Sequence, residues 1–213
     1  MPTLHDSHAR RLLRFNAAVL NQALGLVAAH QKPDAPDYGY PVGAHLRHVI
    51  EHYEALILPS EPGVVDYDQR PRDRELATKT AVARTRLHLL LRRLAERTEA
   101  SLDTPLQVRG LGGLAGDFHF AVDSSMGREL VFVASHAIHH YALLQPHCAR
   151  HGIPISAEFG RAPATVAHER AGPAQERMPE CTARRVLNDR VSLAHRPTAQ
   201  PKESSCSARF ATA

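Results

Sequence analysis

Apolar positions recur at helical spacing in four stretches of the chain. In the first, over 7–30, Leu12, Leu13, Phe15, Ala18, Val19, Leu20, Leu24 and Val27 share a stripe, and Asp6 or Ser7 caps the start. A turn segment holding Pro33, Pro36, Asp37 and Gly39 follows. A second helix opens at Pro41 and stops before Pro59. A polar connection from Ser60 leads to a third helix over 74–98. Its inner face is Val82, Leu87, Leu90, Leu91 and Leu94; Arg84, Arg86, Arg92, Arg93 and Arg97 read as its solvated side. Between 105 and 122 the period changes. Leu106 and Val108 precede Gly110, Gly112, Gly113 and Gly116, and Phe118, Phe120 and Val122 then alternate, which predicts a short β-hairpin. Ser124 or Ser125 caps a fourth helix running to His151, with Pro146 near its end and Gly152 as its stop.

Four amphipathic helices of this size predict an all-α fold, a four-helix bundle with the hairpin in the 3–4 connection. The long connection before the third helix allows an up-down-down-up arrangement. From Glu169 the periodicity ends, and Ala, Arg, Pro, Ser and Thr dominate with Phe210 the one aromatic. Such a composition cannot offset its ordering entropy by burial. The expectation is a bundle domain over 1–168 and a disordered, low-complexity tail over 169–213, with at most a transient helical turn around Val186 to Leu193.

Composition narrows the class further. No run of 18 uninterrupted apolar residues exists, and the N-terminus has no apolar core of a secretory signal, so neither membrane nor export is expected. Cys148, Cys181 and Cys206 are too scattered for a disulfide framework, so a cytoplasmic location is the default. The net charge is +4, but residues 1–168 hold 18 basic and 17 acidic side chains and the tail holds 8 and 5. The excess lies in the tail, so a nucleic-acid partner is not expected.

Most of the 15 histidines fall before position 168, and they cluster. In the second helix His45, His48 and His52 share an arc with Val49 and Leu56. In the fourth, His136 and His140 are i,i+4 neighbours, with His139 turned away from them. A lone inward histidine is usually satisfied by a backbone carbonyl. Six in two inner stripes are hard to satisfy singly, and a divalent metal ion satisfies several at once. An i,i+4 pair plus a histidine from a facing helix makes a three-nitrogen site with an open position.

The stretches "HLRHVIEHYEAL" (45–56) and "SHAIHHYALL" (135–144), with "FGRAPAT" (159–165), resemble the DinB/YfiT-like superfamily over residues 7–167. The resemblance implies an up-down-down-up four-helix bundle, usually a homodimer. It also implies a metal held by His48, His136 and His140, with His139 beside the ligands and His52 or His45 as a substitute or fourth ligand. It further implies hydrolysis or thiol S-transfer on a small-molecule substrate, with a low-molecular-weight thiol as one candidate. A non-catalytic dimeric metal- or ligand-binding protein is the alternative. The family's aromatic before the second-helix ligand is missing, and Tyr141-Ala142-Leu143 replaces its usual Arg-Gly-Gln. An all-histidine site accepts zinc, nickel, iron or manganese and does not choose among them.

Glu129, two turns before His136, is the candidate buried carboxylate for catalysis; Glu51 reads as an exposed charge. Arg70 and Arg72 in the 2–3 connection are candidates to clamp an anionic substrate. Cys148 reads as an inert, partly buried thiol.

Overall fold

Ser7 starts the first helix, its hydroxyl oxygen accepting the Arg10 amide at 3.1 Å. In the computed structural model, which describes residues 7–172, that helix is α1 (His8–Ala29). A single π turn (Gly39–Gly43) runs into α2 (Ala44–Ile57). Then come β1 (Val64–Asp66), α3 (Arg74–Thr78), α4 (Thr80–Ala95), a 3-10 turn (Glu99–Asp103), β2 (Pro105–Gly112), β3 (Phe118–Ser125), α5 (Met126–Arg150) and α6 (Pro163–Ala171). All belong to one unit, Met1–Ala174; the second unit, Gln175–Ala213, lies outside the described residues.

The long helices pack in a ring, α1 and α2 each lying against both α4 and α5. Leu20, Leu26, Leu46, Ile50, Leu56, Leu87, Leu90 and Leu130 fill the centre, fully buried. Two polar side chains inside this core satisfy each other. Tyr53 donates its hydroxyl to Asn16 Oδ1 at 2.9 Å, and Asn16 Nδ2 donates to the Leu12 carbonyl at 3.0 Å.

The fold is not the all-α four-helix bundle that the periodicity predicts. Among the described residues it has six α-helices and a three-stranded mixed sheet in the order β1-β2-β3. β1 pairs parallel to β2, Val65 opposite Val108, and β2 pairs antiparallel to β3, Val108 opposite Val122. A three-residue strand is too short to show a period of two. β1 is instead held by the ladder bond from Gln107 N–H to the Gly63 carbonyl at 2.8 Å and by complete burial of Val65. The helix expected over 74–98 is two, because Lys79 is extended (φ −121°, ψ 110°) and Asp73 caps α3 on the amides of Glu75 and Leu76. The supposedly solvated Arg86 turns inward, gripping the buried Glu54 through Nε and Nη2.

A short helix, α6 (Pro163–Ala171), closes the described chain and continues past the domain boundary expected at 168. The remainder of the expected tail, 173–213, with Val186 to Leu193, Cys181 and Cys206, lies outside the described residues. By length and composition α1 is long and apolar enough to cross a membrane, although no uninterrupted apolar run signals it. Its Val19, Leu20, Ala23, Leu26 and Val27 face the core.

Gly43 sets how α2 enters the molecule. A Cβ there would lie 1.9 Å from the Ala77 carbonyl oxygen, so only glycine lets the start of α2 touch the α3 backbone. That contact lies two residues before His45, the first of the α2 histidines.

Candidate functional site

The two histidine stripes meet where α2 packs on α5. His48 Nε2 lies 2.9 Å from His136 Nε2, and His45 Nδ1 lies 2.8 Å from His140 Nδ1. His48, His136 and His140 each offer a ring nitrogen within 4.8 Å of the other two. Tetrahedral nitrogens about 2.0–2.1 Å from zinc stand about 3.3 Å apart, so nitrogens lying within 4.8 Å of one another would have to settle to that spacing around an ion. All three rings are half-buried at the mouth of the helix seam.

Burial and mutual repulsion keep these rings neutral. The pKa of His48 falls to about 3, with desolvation the main cause and His52 and Arg70 next. His52 and His140 fall to about 4, again chiefly through burial. Burial also lowers His45 and His136. Neutral imidazoles retain the lone pairs that a metal requires.

The surrounding bonds fix the rings. His52 Nδ1 donates to the His48 carbonyl at 2.7 Å, which leaves its Nε2 lone pair free. Arg70 Nη1 donates to His48 Nδ1 at 2.9 Å. A guanidinium only donates, so the proton of neutral His48 sits on Nε2, between His48 and His136. Arg70 Nη1 also stands 3.6 Å from Glu51 Oε2, a buried oxygen with no hydrogen-bond partner. Glu51 is not the exposed charge its helix position suggests: it is 1% exposed, and Oε1 accepts the Asp73 amide at 2.7 Å. Arg72, at φ +52°, is exposed outside the cluster.

Glu129 is fully buried but reaches the histidines only through neighbours. It accepts from the Tyr67 hydroxyl at 2.8 Å, Ser124 at 2.6 Å and Arg128 at 2.7 Å. Tyr67 stacks on His52 with ring centres 5.4 Å apart, and Phe132 stacks on His136 at 5.7 Å. His139 is exposed beside His140 (5.6 Å between ring centres) and lines a separate apolar groove between α1, α5 and α6. Leu143, one turn beyond His139 and His140, is half exposed. Cys148 is buried and its thiol pKa raised by burial, the opposite of a reactive thiolate. Sequence reasoning missed Tyr67 and Glu51. A lone Tyr in a polar connection carries no periodic signal, and Glu51 is buried only because the Tyr67–Asp73 segment folds over α2.

No family model matches the chain, and no solved structure matches it. A curated relative does: a protein named FK506-binding protein 5 from Rhizopus delemar (strain RA 99-880) is 32% identical over 118 residues, 54% of this chain and 31% of the relative. The chain therefore spans about a third of that relative's length. This relative corrects the DinB/YfiT-like reading. The physical reason is that the resemblance rested chiefly on the order of the helices and the placement of their histidines, and any two packed inner helical stripes can carry an i,i+4 pair facing a third ring. The metal-dependent hydrolase or thiol S-transferase reading falls with it, and its non-catalytic alternative gains nothing. The chain is similar, over half its length, to part of a protein named for binding FK506.

Proposed function

We propose that the α2–α5 seam binds a divalent metal ion, zinc, nickel, iron or manganese, on His48, His136 and His140. One observation carries the reading: three imidazoles from two helices, held neutral by burial, bring ring nitrogens within 4.8 Å of one another. His52 is the candidate fourth ligand, since its backbone bond leaves Nε2 unprotonated. Three protein ligands leave room on the ion for water or a small ligand. A metal on His48 Nε2 needs the proton there to move to Nδ1, where Arg70 now donates. Arg70 then has to release His48, and the unpartnered Glu51 Oε2, 3.6 Å from Arg70 Nη1, is an alternative acceptor. The test is a melting measurement on chelator-treated protein with and without zinc. Zinc raises the melting temperature of wild type and of His139→Ala, but not of His136→Ala, through mass action on the folded state. Equal shifts in all three oppose the reading.

The relative supports a second reading, that this chain binds FK506. The 32% identity over 118 residues is what favours it. Isothermal titration with FK506 tests it separately: heat saturating near one equivalent supports it, and no heat opposes it whatever the zinc result.

A further inference from the structure

The free edge of the sheet is self-complementary, and we propose that β3 pairs antiparallel with β3 of a second copy, centred on Ala121. The backbone parity comes first. On β2 the odd-numbered amides point away from β3: Gln107 N–H bonds the Gly63 carbonyl, and Leu111 N–H bonds Asp68 Oδ2. The even-numbered residues therefore make the ladder to β3, as Met126 N–H to the Thr104 carbonyl also shows at the strand's end. On β3 it follows that His119, Ala121 and Asp123 turn their N–H and C=O groups outward, with no strand beyond them among the described residues. The edge carries no Lys, no Pro and no bulge, the features that usually discourage pairing.

The side chains select the partner and the register. A two-fold axis at Ala121 sets residue i opposite residue 242 minus i. It places His119 of each copy opposite Asp123 of the other, an opposite-charge or hydrogen-bonding pair at both ends. On the other face Phe120 meets Val122, and Phe118 meets Ser124, with Ala121 opposite itself. Shifting the axis by one residue position, to Val122, sets His119 opposite Ser125 and Asp123 opposite Ala121, and loses both pairs.

The apolar face has the same need. Phe118 and Phe120 lie over Gly112 and Gly110, their cross-strand partners, where no side chain competes for the space. Yet Phe118 is 54% exposed and Val122 52%. These residues share the sheet face of the buried Leu106 and Val108 but lie beyond the edge of the helices that cover it. Antiparallel pairing about a two-fold perpendicular to the sheet puts the same face of both copies on one side. The two aromatic rows then join into one apolar strip.

Sedimentation of the full chain, with cysteine trapping, tests this. Wild type is expected at twice its 23.4 kDa mass at high micromolar concentration. Ala121→Pro removes an outward N–H and no ladder bond, so it is expected to keep the wild-type circular dichroism and sediment as a monomer. Under oxidation Ala121→Cys links to itself. Asp123→Cys links to His119→Cys when the two are mixed but not to itself; wild type supplies the background for the native cysteines. His119→Asp weakens the dimer, and the swap His119→Asp with Asp123→His restores it. A monomeric wild type, a dimer indifferent to Ala121→Pro in a folded variant, or crosslinks in another register each overturn the proposal.

Discussion

The Nε2 atoms of His48 and His136 stand 2.9 Å apart, with Arg70 donating to the far side of the His48 ring. Two neutral imidazoles at that distance hold one proton between them. The arrangement is a ligand pair already brought together, with a proton where an ion would sit. Burial lets the pair persist, because charging either ring inside the seam is costly.

That cost gives the metal-free protein a pH dependence. His48 protonates only near 3, and His52 and His140 near 4. In the unfolded chain they protonate near about 6.5. Between these values the unfolded state binds more protons, so stability is full above about 6.5, falls as the pH drops through about 4 and levels off below about 3. Urea midpoints at about pH 7 and about pH 5 measure the fall, which is shallower in His52→Asn. Equal midpoints at the two pH values contradict it.

Arg70 acts as a competitor for the proton position on His48. Arg70→Met removes both a cation beside the site and the donor that holds the proton on Nε2. Zinc affinity is expected to rise, on the order of tenfold, which corresponds to about 1.4 kcal/mol and is close to the lower limit for a hydrogen bond to a charged group. Competition titration against a zinc-sensitive dye reads it. Weaker binding in Arg70→Met shows that Arg70 supports the ion instead.

Tyr67 ties the carboxylate of Glu129 to the stacked ring of His52. Tyr67→Phe keeps the stack but leaves Glu129 Oε2 without its hydroxyl, at an expected cost of about 1–3 kcal/mol. Chemical denaturation measures this, and a loss well under that range means that Glu129 finds another donor.

Gly43→Ala tests the approach of α2 to α3. The added Cβ meets backbone, the Ala77 carbonyl oxygen at 1.9 Å, so neither side yields by rotating a side chain. A loss of about 1–3 kcal/mol is expected from this overpacking. It comes with weaker zinc binding as the α2 histidines shift against α5. Unchanged stability shows that α3 moves freely.

The histidine stripes were legible because helical periodicity turns spacing into a face, and the two stripes meet where α2 packs on α5; the choice of His48 from the α2 stripe came from the resemblance and not from periodicity. The class was not. Val64 and Val65 are too short a run to announce β1, and Lys79 gives no sign in sequence that it breaks one helix into α3 and α4. Glu51 and Tyr67 were beyond reach for a related reason: both depend on a polar connection folding back over α2, and such tertiary contacts leave no local pattern. The family was misjudged because spacing constrains geometry and says little about descent.

Zinc stoichiometry tests the central claim most directly. Chelator-stripped, tag-free protein is dialysed to equilibrium with zinc, and bound metal is counted by mass spectrometry for wild type and for His48→Ala, His136→Ala and His140→Ala. A three-histidine site predicts one tightly held ion per wild-type chain and a loss of at least tenfold in affinity for each variant. Wild type that holds no stoichiometric zinc, nickel, iron or manganese, or variants that retain the ion as wild type does, would contradict it.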